Sequence, residues 1–133
     1  IEEKGLAIYL DVSGSVNDYL PQFICVLAKL KSNVTSLFLF SNIVVETTME
    51  DLIKGKIRTS YGTDFNCIAN SIIERRFEKA IIITDGYADM SEELSKQLKT
   101  LGLVTLTILF DGTTTCEDFA KFGDVVSLSD VCE

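Results

Sequence analysis

The sequence predicts an α/β fold: a doubly wound, mostly parallel sheet with one antiparallel edge strand and helices on both faces. Three observations lead there. Apolar runs of strand length alternate along the chain with segments whose apolar residues recur at helical spacing. Several of those runs stop abruptly at an aspartate, as at Asp11, Asp85 and Asp111. A single proline, with no repeat and no low-complexity tract, leaves no linker, so residues 1–133 read as one domain.

Taken in order, Leu6 to Leu10 is a buried strand ending at Asp11. Asn17 is the expected N-cap of a helix that carries Leu20, Phe23, Ile24, Leu27 and Leu30, with Pro21 early enough to be tolerated. Val34 to Phe40 is the second strand. Ser41-Asn42 then separates it from Ile43 to Thr48, and so short a link requires an antiparallel hairpin. Asp64 caps a helix with Ile68, Ile72 and Phe77, and Arg75, Arg76 and Lys79 suit its C-terminal dipole. Ala80 to Thr84 is a third buried strand. Ser91, followed by Glu92 and Glu93, starts a helix that stops at Gly102. Leu103 to Phe110 is a strand, Glu117 to Phe122 a short helix, and Val125 to Leu128 the last strand.

Composition excludes much of the usual chemistry. Twelve basic against twenty acidic residues give a charge of −8, which repels phosphate backbones and anionic lipid; neither nucleic acid nor membrane is an expected partner. The chain contains no histidine, which removes Ser-His-Asp and Cys-His catalysis and every His-ligated metal site. The apolar stretches Leu37 to Val45 and Leu101 to Phe110 are too short to span a bilayer. Four cysteines, Cys25, Cys67, Cys116 and Cys132, form no C-x-x-C pair, and the charged start Ile1-Glu2-Glu3-Lys4 is unlike a signal peptide. Reduced thiols in a cytoplasmic protein are therefore expected, with a Cys116–Cys132 bridge as the alternative.

What remains is oxygen chemistry. In an open parallel sheet, ligands bind beyond the carboxyl ends of the strands, where strand order reverses. Asp11 is followed by Ser13, Gly14 and Ser15, and Thr63 lies between Gly62 and Asp64 on another loop entering a helix. Together with Asp85, these loops would supply two carboxylates and three hydroxyls to one cleft, a set suited to a hard divalent cation. Two carboxylates neutralise such an ion, and neutral hydroxyls leave it electrophilic enough to accept one more carboxylate from outside. The bland alternative is that Asp11 and Asp85 terminate strands and cap loops. Asp64 reads as an N-cap, Asp89 and Asp111 as solvated acids. Glu74-Arg75-Arg76 reads as a solvated helix end, with a docking patch as its alternative. Phe65 and Tyr87 are either interface anchors near the cleft or, for Phe65, packing beneath its own helix.

The segment Asp11-Val12-Ser13-Gly14-Ser15 resembles the D-x-S-x-S signature of von Willebrand factor A (VWA) domains, and Gly62-Thr63 and Thr84-Asp85-Gly86 follow in that family's order. The resemblance spans Leu6 to Leu128. It implies a VWA/Rossmann-like fold with a metal-ion-dependent adhesion site holding Mg2+ or Mn2+, calcium ranking behind them. Ser13, Ser15 and Thr63 would be direct ligands, while Asp11 and Asp85 would act largely through water. The stretches Tyr61-Gly62-Thr63-Asp64-Phe65 and Ile83-Thr84-Asp85-Gly86-Tyr87 look most like a bacterial intracellular VWA-like domain found at the C-terminus of metallopeptidase-related proteins. The chain differs in having one glycine before Thr63 where a pair is common. The resemblance implies a non-enzymatic module that grips an Asp or Glu of a protein partner, acting as an adaptor for an AAA+ ATPase. The competing class is an aspartate-nucleophile, haloacid dehalogenase-like phosphatase, whose later motif Asp85-Gly86-Tyr87-Ala88-Asp89 imitates. Ser13, however, stands where that enzyme's general-acid aspartate belongs, leaving the departing oxygen without a proton donor.

Overall fold

The computed structural model describes residues 6–12, 16–30, 34–54, 64–86, 89–110 and 115–128. The chain runs β1 (Leu6–Asp11), α1 (Val16–Leu30), β2 (Val34–Phe40), β3 (Val44–Thr47), α2 (Met49–Ile53), α3 (Phe65–Arg75), β4 (Lys79–Thr84), α4 (Glu92–Leu101), β5 (Val104–Leu109), α5 (Glu117–Ala120) and β6 (Val125–Ser127). The strands pair in the order β3-β2-β1-β4-β5-β6. Every pairing is parallel except β2 with β3, so the predicted antiparallel strand lies at the sheet edge.

The central strands are apolar on both faces because helices cover both. Along β1, Ala7 and Tyr9 enter one layer with Phe65, Ile68 and Ile72 of α3, Leu98 of α4 and Phe119 of α5. Ile8 and Leu10 point the other way, into a layer with Phe23, Val26 and Leu27 of α1 and Leu52 of α2. That alternation is the two-residue period of a strand, and all four of these β1 side chains are fully buried. Tyr9 stacks on Phe38 with ring centroids 5.0 Å apart and places its hydroxyl 2.9 Å from Ser71 Oγ, so its one polar atom is paired inside the core.

Several local expectations are corrected. Helix α1 begins at Val16, so Asn17 is inside it and is not its cap, and Pro21 lies within the helix. Three residues, Ser41 to Ile43, link β2 to β3, because Phe40 pairs with Val44 and the amide of Ser41 donates to the carbonyl of Ile43 at 3.0 Å. Helix α2 was not expected. Its signal is short: Thr48 Oγ1 accepts from the amide of Asp51 at 3.1 Å, and Glu50 and Asp51 fill the first turn. Helix α3 stops at Arg75 instead of carrying Phe77 and Lys79. Arg76 adopts a left-handed φ of 62°, and the amides of Arg76 and Phe77 both reach the carbonyl of Ile72, at 2.8 and 3.3 Å. That turn buries Phe77 edge-on against Phe38 and leaves Lys79 to begin β4. The caps of α4 fall as expected at Ser91, whose Oγ accepts from the amide of Leu94, and at Gly102.

The thiols also depart from expectation. Cys25, half-buried on α1, is disulfide-bonded, whereas Cys67 and Cys116 are free. This overturns a fully reduced set, and a free Cys116 excludes the Cys116–Cys132 bridge. Cys132 lies outside the described residues. Spacing along a chain does not determine which sulfurs meet; the packing of distant segments does. Among the described residues no helix is long and apolar enough to cross a membrane.

Among the described residues, one buried core hydroxyl lacks a partner. Thr107 of β5 is fully buried, and its Oγ1 makes no hydrogen bond. Replacing it by valine keeps the shape and removes the unpaired hydroxyl. Thr107→Val is expected to raise the unfolding free energy by about 1 kcal/mol, read from the urea midpoint at unchanged slope.

Candidate metal centre

The strand order places a switch point between β1 and β4. From β1 the chain goes to β2 on one side, and later to β4 on the other side. Connections leave the two strands in opposite directions, which opens a crevice at their carboxyl ends. Asp11 is the last residue of β1, and Asp85 follows Thr84, the last residue of β4. Two of the five expected site residues are thereby brought to one edge. Ser13, Ser15 and Thr63 lie outside the described residues.

Asp11 is fully buried, and Asp85 is half-buried. The Oγ1 hydroxyl of Thr84 donates to Asp11 Oδ2 at 2.7 Å, across a sequence separation of 73. A bond that short between a hydroxyl and a carboxylate is charge-assisted. The amide of Gly86 donates in turn to Thr84 Oγ1 at 3.1 Å. A hydroxyl has one proton, so this incoming bond orients the proton of Thr84 toward Asp11. Gly86 reaches that position with φ 83°, in the left-handed region that favours glycine. Thr84 is thus a further residue of the candidate site, one not expected from the sequence, although the Thr84-Asp85-Gly86 triplet contains it.

Backbone bonds hold the surrounding frame. The amide of Val12 donates to the carbonyl of Phe40 at 2.9 Å, and that of Phe110 to the carbonyl of Thr84 at 3.1 Å. The amide of Asp64 donates to the carbonyl of Ser41 at 2.9 Å, tying the start of α3 to the β2–β3 link. Asp64 is the expected N-cap, its Oδ1 accepting from the amide of Asn66 at 2.9 Å. Asn66 Oδ1 accepts from the amide of Ser91 at 2.7 Å, which joins the starts of α3 and α4. Phe65 packs beneath its own helix, fully buried, with its ring 4.8 Å from that of Phe119. It is no interface anchor. Tyr87 and Asp111 lie outside the described residues, and Asp89 is exposed.

Burial holds the Cys67 thiol and the Tyr9 phenol in their neutral forms. Burial, with the nearby Asp64 carboxylate, pushes the Cys67 thiol up to about 11, and its Sγ donates to the carbonyl of Asp64 at 2.9 Å. At neutral pH it is a thiol, which is a poor nucleophile. Burial likewise pushes the Tyr9 phenol up to about 12. Asp118 of α5 is raised above the ordinary carboxylate range, chiefly by burial and against a bond from the backbone of Met90.

Among the described residues, no three of the His, Cys, Asp and Glu side chains converge as a metal-binding group. The arrangement is instead two carboxylates at the carboxyl ends of adjacent strands, with a hydroxyl locked onto one of them. A carboxylate taken wholly out of water is costly unless its charge is compensated. Asp11 and Asp85 are hard oxygen donors of the kind magnesium and manganese prefer, so the donor set fits such an ion.

No family model matches this chain, and no curated protein matches it. Among solved structures, it is similar to an aerotolerance-related membrane protein from Bacteroides fragilis NCTC 9343 with multiple mutations to serines. The TM-score is 0.67 over 95% of this chain and 95% of that chain, at 15% sequence identity. At that identity the likeness concerns the fold, which is α/β of the VWA/Rossmann-like kind, as the strand order also has it.

Proposed function

We propose that this chain is a metal-ion-dependent protein-interaction module, in which magnesium or manganese at the Asp11–Asp85 edge grips an Asp or Glu side chain of a partner protein. The observation that carries this reading is the fully buried Asp11 carboxylate, held by Thr84 at the switch point of the sheet. On the VWA resemblance, Ser13, Ser15 and Thr63 are the direct ligands, and Asp11 and Asp85 act largely through water. The cation supplies local positive charge in a chain of net charge −8, without which a partner carboxylate would be repelled.

We read the module as non-enzymatic, since the sequence has no histidine and its Cys67 thiol is held protonated. An adaptor role beside an AAA+ ATPase follows from the finer resemblance. Neither nucleic acid nor membrane is proposed as a ligand. The expected cytoplasmic location meets a bonded Cys25, and disulfides persist chiefly in oxidising compartments. Metal-dependent recognition operates in either compartment.

The test is a pull-down from the native host with the immobilised domain, in magnesium and in excess chelator. Specific partners are expected to be retained in magnesium and released by chelator. Equal retention in both would remove metal-dependent recognition and leave the fold untouched. Turnover of an aryl phosphate that disappears in Asp11→Asn would instead establish the phosphatase.

A further inference from the structure

The Glu74-Arg75 end of α3 and the outer edge of the sheet are not used by the metal centre. Strand β3 ends the sheet, and among the described residues no strand pairs with its outer side. In an antiparallel ladder alternate residues turn their N–H and C=O groups away from the partner strand, so this edge offers backbone bonds to an incoming strand. It is also partly apolar: Val45 of β3 is 51% exposed, and Ile43, in the link just before the strand, 61%.

Between β3 and α3 lies a groove of about 330 Å³ lined by Val44, Glu46, Asn70, Ser71, Glu74 and Arg75, with Phe38 also in its wall. The guanidinium of Arg75 is already engaged. It sits 4.9 Å from the centroid of the Phe38 ring and 3.6 Å from Glu46 Oε1. Glu74 is exposed and has no ion pair among the described residues. The groove therefore holds two carboxylates against one guanidinium, in a chain that is itself strongly acidic.

We infer that the outer edge of β3 and its groove bind an extended segment of a partner protein whose alternate residues are basic and apolar. Paired with β3, such a segment adds a seventh strand to the six-stranded sheet. Its lysine or arginine side chains lie on the face shared by Val44 and Glu46, toward Glu74. Its apolar side chains lie on the opposite face, beside Val45. A second copy of this chain fits poorly, because β3 against β3 would bring Glu46 and a net charge of −8 against themselves. The edge lies beyond β2 from the β1–β4 crevice and selects the opposite charge, so this inference is independent of the metal centre.

Fluorescence anisotropy with a labelled peptide of alternating valine and lysine, in excess EDTA, tests it. Three comparisons accompany the parent peptide: glutamate in place of lysine, methylated backbone nitrogens, and the protein variant Glu74→Lys. Glu74 is exposed near the C-terminus of α3, where lysine suits the helix dipole, and an unchanged melting temperature confirms the fold. The lysine peptide is expected to bind, and the glutamate peptide is not. Methylation should weaken binding about tenfold, and Glu74→Lys about fivefold. Equal binding of the methylated peptide would reduce the effect to general charge attraction. Unchanged binding by Glu74→Lys, or no binding of the lysine peptide, would overturn the inference. So would a concentration-dependent dimer, lost in Val45→Lys, that excludes the peptide.

Discussion

Asp11→Asn is expected to lower magnesium affinity by about 100-fold in a calorimetric titration, while the domain stays folded. Asparagine matches aspartate in size and keeps an oxygen to accept the 2.7 Å bond from Thr84. What it loses is the charge. With the ion absent, that charge is a cost, because Asp11 is fully buried at the end of β1. In chelator, Asp11→Asn should therefore melt at or above the temperature of the wild type. In magnesium the order should reverse, since an ion at about 100 times its dissociation constant stabilises the wild type by roughly 2.7 kcal/mol. A structural aspartate predicts the opposite pattern: loss of stability in chelator and no dependence on magnesium. Equal magnesium binding by the two proteins would remove Asp11 from the site.

The second large effect is expected far from the crevice. Gly123 precedes β6 and runs against β5 so closely that a Cβ on it would lie 1.7 Å from the carbonyl oxygen of Thr105. The carbonyl belongs to a strand locked on both sides. The amide of Thr105 donates to the carbonyl of Phe122 at 3.0 Å, and that of Thr107 to the carbonyl of Asp124 at 2.9 Å. Gly123→Ala must push these segments apart and break one or both bonds. A loss of about 2–4 kcal/mol is expected in urea unfolding, in the range of severe core substitutions. Magnesium affinity of the folded fraction should be unchanged, because β6 lies two strands beyond β4. A loss under about 0.5 kcal/mol, as for an ordinary surface change, would show that the approach is not tight.

The fold class was legible because the sheet is buried on both faces. Runs such as Leu6 to Leu10 and Ala80 to Ile83 are hydrophobic at every position, and the aspartates that follow, Asp11 and Asp85, mark the carboxyl edge of the sheet. Helix α4 was legible at both ends, since Ser91 and Gly102 are residue types suited to those caps. Helix α2 was not, because five residues are too few to show a helical repeat. The end of α3 was misplaced because a left-handed arginine, Arg76, takes the role that sequence patterns reserve for glycine.

Long-range relations were the least legible part. The Thr84–Asp11 bond, the bonded state of Cys25 and the close approach at Gly123 each depend on segments that meet only after folding. No local pattern encodes them. In the candidate site, Asp11 and Asp85 were readable as strand-end acids, but the hydroxyl that orients Asp11 was not. Phe65 was readable as either anchor or packing, and its burial against Phe119 decides for packing.

The divalent cation proposed at the carboxyl edge between β1 and β4 is open to direct observation in crystals grown with manganese and measured at its absorption edge. An anomalous peak beside Asp11 and Asp85, absent from crystals of Asp11→Asn, is the expected result. A map with no peak at that edge, or one whose peak is unchanged in Asp11→Asn, would contradict it.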